Sequence, residues 1–244
     1  MNEHEKFAAE VKANIDGLLA DKDVQALSRI WLREITRHKY AYNFRWMGRP
    51  IIQFPQDMIA MQELIWDIKP DLIIETGIAH GGSVLYYASL LELIGGDGYV
   101  LGVDIDIRAH NREEIVRHPM SKRLKMIQGS SIDLATIRQV EEHVRGKRRV
   151  LLILDSNHTH EHVMAEMRAY SSFVTKDSYM VVFDTLLEDM PDDLLNDRPW
   201  GKGNNPKTAV REFLLETDRF EIDERMVSKL LITVAPDGYL RCVR

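Results

Sequence analysis

The stretch Leu72-Ile73-Ile74-Glu75-Thr76-Gly77-Ile78-Ala79-His80-Gly81-Gly82-Ser83 decides the fold of this 244-residue chain. A short β-rich apolar run passes directly into a glycine turn, and the turn opens the helical pattern SVLYYASLLEL. Glycine permits a tight turn and close approach of a ligand to the backbone, while a helix N-terminus offers unpaired N–H groups. The dinucleotide fingerprint G-x-G-x-x-G is not met, because Ala79 stands where its second glycine belongs.

Outward from this unit the pattern repeats. YVLGVD (99–104), LKMIQ (124–128), VLLILD (150–155) and YMVVFD (179–184) are short apolar runs, separated by amphipathic stretches such as DLATIRQVEEHV and HVMAEMRAYSSFV. Near-continuous apolar strands alternating with helices predict an α/β fold with a doubly wound, mostly parallel sheet covered on both faces. In such a sheet ligands bind at the strand C-termini. Asp104 ends the second strand, where a carboxylate can accept ribose hydroxyls, and Gly129-Ser130-Ser131-Ile132-Asp133 after the third could surround an adenine. Towards the end, Asn205 and Pro206 read as N-cap and first residue of a helix, and RFEID (219–223), KLLITVA (229–235) and YLRCV (239–243) as closing antiparallel strands. Before the sheet, residues 3–37 read as two helices, YAYNFRWMGRPIIQFPQD as an ordered loop, and Asp57 as the N-cap of a further helix. The division is therefore 1–56, N-terminal helices and loop packed on the core, and 57–244, a Rossmann-like domain.

The fourth and fifth strands end at Asp155 and Asp184, so both carboxylates can face one crevice. They repel unless a cation or a proton joins them. A divalent ion there would lower the pKa of a substrate hydroxyl, with His158 as a base. His158, His160 and His162 also raise the alternative of a metal-dependent hydrolase, although the H-x-H-x-D-H pattern fails at His162 and Val163. A dinucleotide-dependent oxidoreductase is the other alternative, disfavoured by Ala79. His80 reads as structural.

The chain resembles the cephalosporin hydroxylase family, methyltransferase-fold proteins related to rhamnosyl and macrolide-sugar O-methyltransferases. The resemblance spans roughly residue 40 to the end and rests on Trp46-x-Gly48, IIETGIAHGGS, GVDID, LILDSNH and DRPWGKGNNPKTAV. It implies a class I methyltransferase that transfers a methyl group from S-adenosylmethionine, often with magnesium (Mg2+), to a hydroxyl of a sugar, glycoside or related small molecule. On this resemblance Glu75, Gly77, Gly81, Ser83 and Asp104 match cofactor motifs, Asp155 and Asp184 match metal carboxylates, and His158 matches the histidine that follows. One position departs. Family members carry adjacent Glu-Asp at the fifth strand end, where this chain has Phe183 before Asp184, so the alternatives are a weakly bound ion, Glu188 or Asp189 as replacement ligand, or no ion.

Composition bounds the partners. Apolar residues make up 45% and charged residues 29%, a globular balance. The net charge of −6 disfavours nucleic acid. The single cysteine, Cys242, cannot form an intramolecular disulfide or a thiolate zinc cage, and with no apolar segment near the N-terminus a cytoplasmic protein without a membrane span is expected. A homo-oligomer is expected as well. The acidic excess is local: Asp184, Glu188, Asp189, Asp192, Asp193 and Asp197 lie together, and setting them aside leaves 32 acidic residues against 32 basic. This segment runs into Leu194–Pro206, a turn-rich stretch with Trp200 that reads as a lid or a plain loop.

Overall fold

The computed structural model describes residues 1–195 and 197–244. Its N-terminal part consists of α1 (Glu3–Ala20), α2 (Lys22–Arg37), a hairpin of β1 (Phe44–Trp46) and β2 (Arg49–Ile51), and α3 (Pro55–Ile68). The expected loop at 40–57 is thus partly a hairpin. Met47 and Gly48 both take positive φ (44° and 89°), the backbone of a tight two-residue hairpin turn.

The doubly wound part follows: β3 (Leu72–Thr76), α4 (Gly82–Ile94), β4 (Tyr99–Asp104), α5 (Ala109–Arg117), β5 (Leu124–Gln128), α6 (Leu134–Val144), β6 (Val150–Leu154), α7 (His160–Tyr170), β7 (Tyr179–Val182), α8 (Pro206–Glu216), β8 (Phe220–Ile222), α9 (Glu224–Leu230) and β9 (Tyr239–Cys242). The sheet order is β5-β4-β3-β6-β7-β9-β8. The strands β5 to β7 are parallel and in register, so Thr76, Val103 and Leu154 stand side by side just below the sheet's C-terminal edge. The chain order reverses between β3 and β6, which opens the crevice where this class of sheet binds ligands.

Every residue of β3 and β6 is buried, since helices cover both faces. One core lies between the sheet and α3, α4 and α9; the other lies beneath α6, α7 and α8. Burying such side chains is the main driving term, at about 25 cal/mol per Å² of apolar surface.

The C-terminus corrects one expectation. Residues 229–235 are not a strand: α9 runs to Leu230, and the chain then turns through Leu231 at φ +60°. Only β9 runs antiparallel, inserted between β7 and β8. Asp57 explains the irregular path. It is not an N-cap, a place taken by Phe54, but a wholly buried anchor that accepts hydrogen bonds from the Thr233 and Tyr239 hydroxyls and from Val234 N–H (2.9 Å). Burial pushes its pKa up to about 6 against those hydrogen bonds.

The two N-terminal helices cover less than their apolar pattern suggests. No side chain of α1 is buried, and in α2 only Leu32 is. Leu27, Ile30 and Trp31 are 65%, 51% and 62% exposed, a helical stripe facing outward.

Candidate active site

A cavity of about 420 Å³ opens at the C-terminal ends of β3, β6 and β7. One wall is the turn Gly77–Ser83; the facing wall carries Asp155, Ser156, His158, Phe183 and Asp184; the mouth is formed by the end of α2, Tyr40–Tyr42, Leu194, Leu195, Arg198 and Trp200.

The glycine turn is held from several sides. Gly77 has φ +93°, and a Cβ there would sit 2.1 Å from the Asp155 carbonyl oxygen, so only glycine lets the ends of β3 and β6 approach. A Cβ on Gly82 would sit 2.1 Å from the Pro50 oxygen, which fixes the β2 end against the start of α4. Asp104 accepts hydrogen bonds from the N–H groups of Ile78 (2.8 Å), Ala79 (3.2 Å) and Asp106 (2.9 Å). Its carboxylate therefore clamps the turn. Ala79 itself takes φ +46°, a left-handed conformation that a glycine would adopt without strain. Two residues invisible to motif reading complete the clamp: Arg49 donates to the His80 carbonyl (2.7 and 3.0 Å) and to Asn111 (2.9 Å), which in turn donates to the Ala79 carbonyl (2.9 Å).

Glu75 lies beneath the turn, fully buried, with Ser83 Oγ donating to Oε2 (2.9 Å) and with Oε1 lacking a partner. Burial pushes its pKa up to about 8, opposed by the Ser83 hydrogen bond and reinforced by the Asp104 charge. Gly81, at φ +82°, is the N-cap of α4 and offers no side-chain cap, so the first-turn N–H groups of α4 have no capping side chain. Ser131 is buried after β5, its hydroxyl 3.1 Å from His162 Nε2 and its carbonyl accepting from Tyr170 OH (2.7 Å). Ile105, which follows Asp104, is 71% exposed, and Ile132 on the neighbouring loop is 39% exposed, two aliphatic side chains at adjacent strand ends.

Asp155, His158 and Asp184 come together as expected, with a donor atom of each within 4.8 Å of the others. His158 Nε2 is 3.1 Å from Asp184 Oδ2, and the His158 ring meets Trp200 edge-on at 4.7 Å. Burial, then the charges of Asp184, Glu75 and Glu166, hold the Asp155 pKa well above the usual carboxylate range. Crowded carboxylates of this kind are what a bound cation relieves. Two carboxylates and an imidazole fit a divalent ion, with open positions for water or substrate oxygen.

The three histidines separate. His160 pairs with Thr208 Oγ1 (2.8 Å) and Glu212 (3.2 Å), and His162 turns to Ser131, Ser156 and Glu166. His158 precedes α7, and His160 and His162, two positions apart on the helix, face different sides, so a His158-His160-His162 metal cluster does not form and the hydrolase alternative loses its ligand set. Phe183 is buried at 1% exposure, an apolar element of the cavity wall. Neither proposed substitute for the missing acid is free: Glu188 accepts from Gly203 N–H (2.8 Å) and from Asn205, and Asp189 pairs with the buried Lys207 (2.7 Å). Asp193 pairs with Arg37 across the mouth (3.1 Å). Much of the acidic cluster is thus tied into local pairing. The same contacts pin the segment after Trp200, where Gly201 and Asn204 bridge each other; Asn196, inside the expected lid, lies outside the described residues. His80 lines the cavity beside the turn.

The family model for rhamnosyl O-methyltransferase/CmcI matches residues 38–243. The chain belongs to this family. Among its relatives, a rhamnosyl O-methyltransferase of Mycobacterium leprae (strain TN) is 32% identical over 209 residues, 83% of this chain and 87% of the relative. Another, from Mycobacterium bovis (strain BCG / Pasteur 1173P2), is 30% identical over 218 residues, 83% of this chain and 82% of the relative. The fold matches a solved CmcI structure with Mg and SAM at TM-score 0.57 and 21% identity, covering 83% of this chain and 78% of that one. It also matches an O-methyltransferase from Bacillus cereus in complex with SAH at TM-score 0.54 and 15% identity, over 87% and 88% of the two chains. The mostly parallel sheet is the one expected from the strand pattern, and the methyltransferase fold is the one the family resemblance implied. No helix among the described residues is long and apolar enough to cross a membrane.

Proposed function

We propose that the protein is an S-adenosylmethionine-dependent O-methyltransferase acting on a hydroxyl of a sugar, glycoside or related small molecule. The observation that carries this reading is the meeting of Asp155, His158 and Asp184 on the cavity wall facing the glycine turn, in a chain 30–32% identical to rhamnosyl O-methyltransferases. Glu75, Gly77, Gly81, Ser83, Asp104 and Ser131 are assigned to the cofactor. Ile105 and Ile132 add an apolar contact for a flat base.

In the reaction the acceptor hydroxyl loses its proton, its oxygen bonds to the methyl carbon, and the carbon–sulfur bond breaks to leave a neutral thioether. His158 is placed to take the proton, its ring oriented by Asp184 and Trp200. A magnesium ion held by Asp155 and Asp184, with His158 alongside, would lower the pKa of a hydroxyl bound there. Because the sulfonium loses its charge on transfer, tight carboxylate contacts around the sulfur would favour the ground state. Positioning within a dry cavity carries more of the rate, and the apolar wall of Phe183, Leu186, Leu187 and Phe54 supports that division.

Residues 1–56 serve as an extension that supplies the acceptor side of the mouth through the end of α2 and Tyr40–Tyr42, while Pro50–Phe54 line the cavity beside the glycine turn. We assign self-association to the exposed Leu27-Ile30-Trp31 stripe and a cytoplasmic setting consistent with the unpaired Cys242. Calorimetry with S-adenosylmethionine and S-adenosylhomocysteine, followed by methyl transfer to a panel of rhamnosides, tests the reading. Asp155→Asn should abolish turnover and leave cofactor affinity within about twofold. A folded wild-type protein that binds neither cofactor form would end it.

A further inference from the structure

The cavity contains a second buried acceptor that family motifs do not cover. Gln53 follows the β2 hairpin and is 1% exposed, yet lines the cavity with Gly77, Gly82 and Ser83. Its Nε2 donates to Tyr87 OH (2.9 Å), while Oε1 is buried with no partner. An unmatched buried carbonyl is costly, and folded proteins keep few of them.

Its position is defined by α4. Tyr87 lies one turn beyond Ser83 on the same helix face, and Ser83 donates to Glu75, whose Oε1 is likewise buried without a partner. The buried Tyr87 hydroxyl accepts from Gln53 and so ties the amide to the helix face that carries Ser83. Gln53 Oε1, an acceptor without a donor, and the Glu75 carboxyl, which a nearby cation would ionise, therefore stand beside the N-terminus of α4. That terminus attracts an anion, whereas paired acceptor oxygens call for a cationic donor. A group carrying both is an α-amino acid zwitterion, with its carboxylate on the helix N-terminus and its ammonium between Glu75 and Gln53.

We propose that Gln53, held by Tyr87, is a positioning residue that binds the α-ammonium of the cofactor's amino-acid end. This rests on the S-adenosylmethionine reading above. The ammonium supplies the missing donor, and the rigid Pro50–Gly82 packing sets the height of the amide above the turn. Through this contact Gln53 governs where the sulfonium lies relative to Asp155 and His158.

The test is calorimetry on the full chain with S-adenosylhomocysteine and with its analogue lacking the α-amino group. Gln53→Met should weaken S-adenosylhomocysteine roughly tenfold, the scale of a lost hydrogen bond to a charged group, and leave the deaminated analogue within about twofold. Equal loss for both ligands, or no loss for either, overturns the assignment to Gln53. If wild type binds neither ligand, it is the cofactor reading that fails. Should Gln53→Met not fold, Tyr87→Phe, which frees the amide, decides by the same ligand pair: selective weakening of S-adenosylhomocysteine supports the proposal, and parallel behaviour of the two ligands refutes it.

Discussion

Replacing Glu75 with Gln keeps the side chain's shape and removes its proton equilibrium. In the native protein, burial pushes the Glu75 pKa up to about 8, whereas the free side chain titrates at 4.5. Between these values the folded state keeps a proton that the unfolded chain has released. Its stabilising contribution is therefore complete below the unfolded pKa, declines as pH rises, and is exhausted above the folded one. The slope is about 1.4 kcal/mol per pH unit, so a window of about 3.5 units gives a ceiling of about 5 kcal/mol, to be read as an order of magnitude. Glu75→Gln has no such dependence. Urea unfolding of both proteins in EDTA, at about pH 5.5 and about pH 8.5, measures the effect as the difference between variant and wild type. Taking that difference cancels groups common to both, including Asp57 with its pKa of about 6. The variant should gain several kcal/mol relative to wild type at the higher pH. A difference that stays constant within about 1 kcal/mol would mean that Glu75 is already ionised in the native state, and the reasoning from burial would be wrong.

Gly77→Ala should lose at least about 3 kcal/mol in chemical denaturation, since the Cβ would meet the Asp155 carbonyl at 2.1 Å and φ is +93°. It should also abolish S-adenosylhomocysteine binding; an unchanged denaturation midpoint would contradict the geometry. Trp31→Glu in the exposed α2 stripe should convert an oligomer to monomer in size-exclusion chromatography with light scattering, with a monomer's stability nearly unchanged. A wild-type protein already monomeric at micromolar concentration would remove the role given to this stripe.

Much of the parallel sheet was legible because a strand buried on both faces must be apolar throughout. The runs at 72–76 and 99–104 coincide with β3 and β4 for that reason, whereas β5 at 124–128, on the sheet edge, exposes Lys125 and Gln128. The segment KLLITVA carried the same signal and misled. Its near-continuous apolar residues belong to the end of α9 and to a loop whose backbone is held by Asp57, a residue distant in sequence. Propensity cannot register a hydrogen bond made across the fold. Likewise, the amphipathic pattern of α1 and α2 identified helices but not what their apolar faces meet.

At the site, sequence alone determined which residue types end the strands. Gly77, Asp104, Asp155 and Asp184 follow from the periodicity and from the rule that parallel sheets bind ligands at their C-terminal edge. Tertiary structure decided which side chains remain available for chemistry. His158 joins Asp184 while His160 and His162 are engaged elsewhere, Glu188 and Asp189 are consumed in hydrogen bonds and an ion pair, and Gln53 reaches the wall from a hairpin outside every motif. The physical reason is that periodicity reports burial along one element. Hydrogen bonds and ion pairs depend on where the ends of different elements meet, which packing alone fixes.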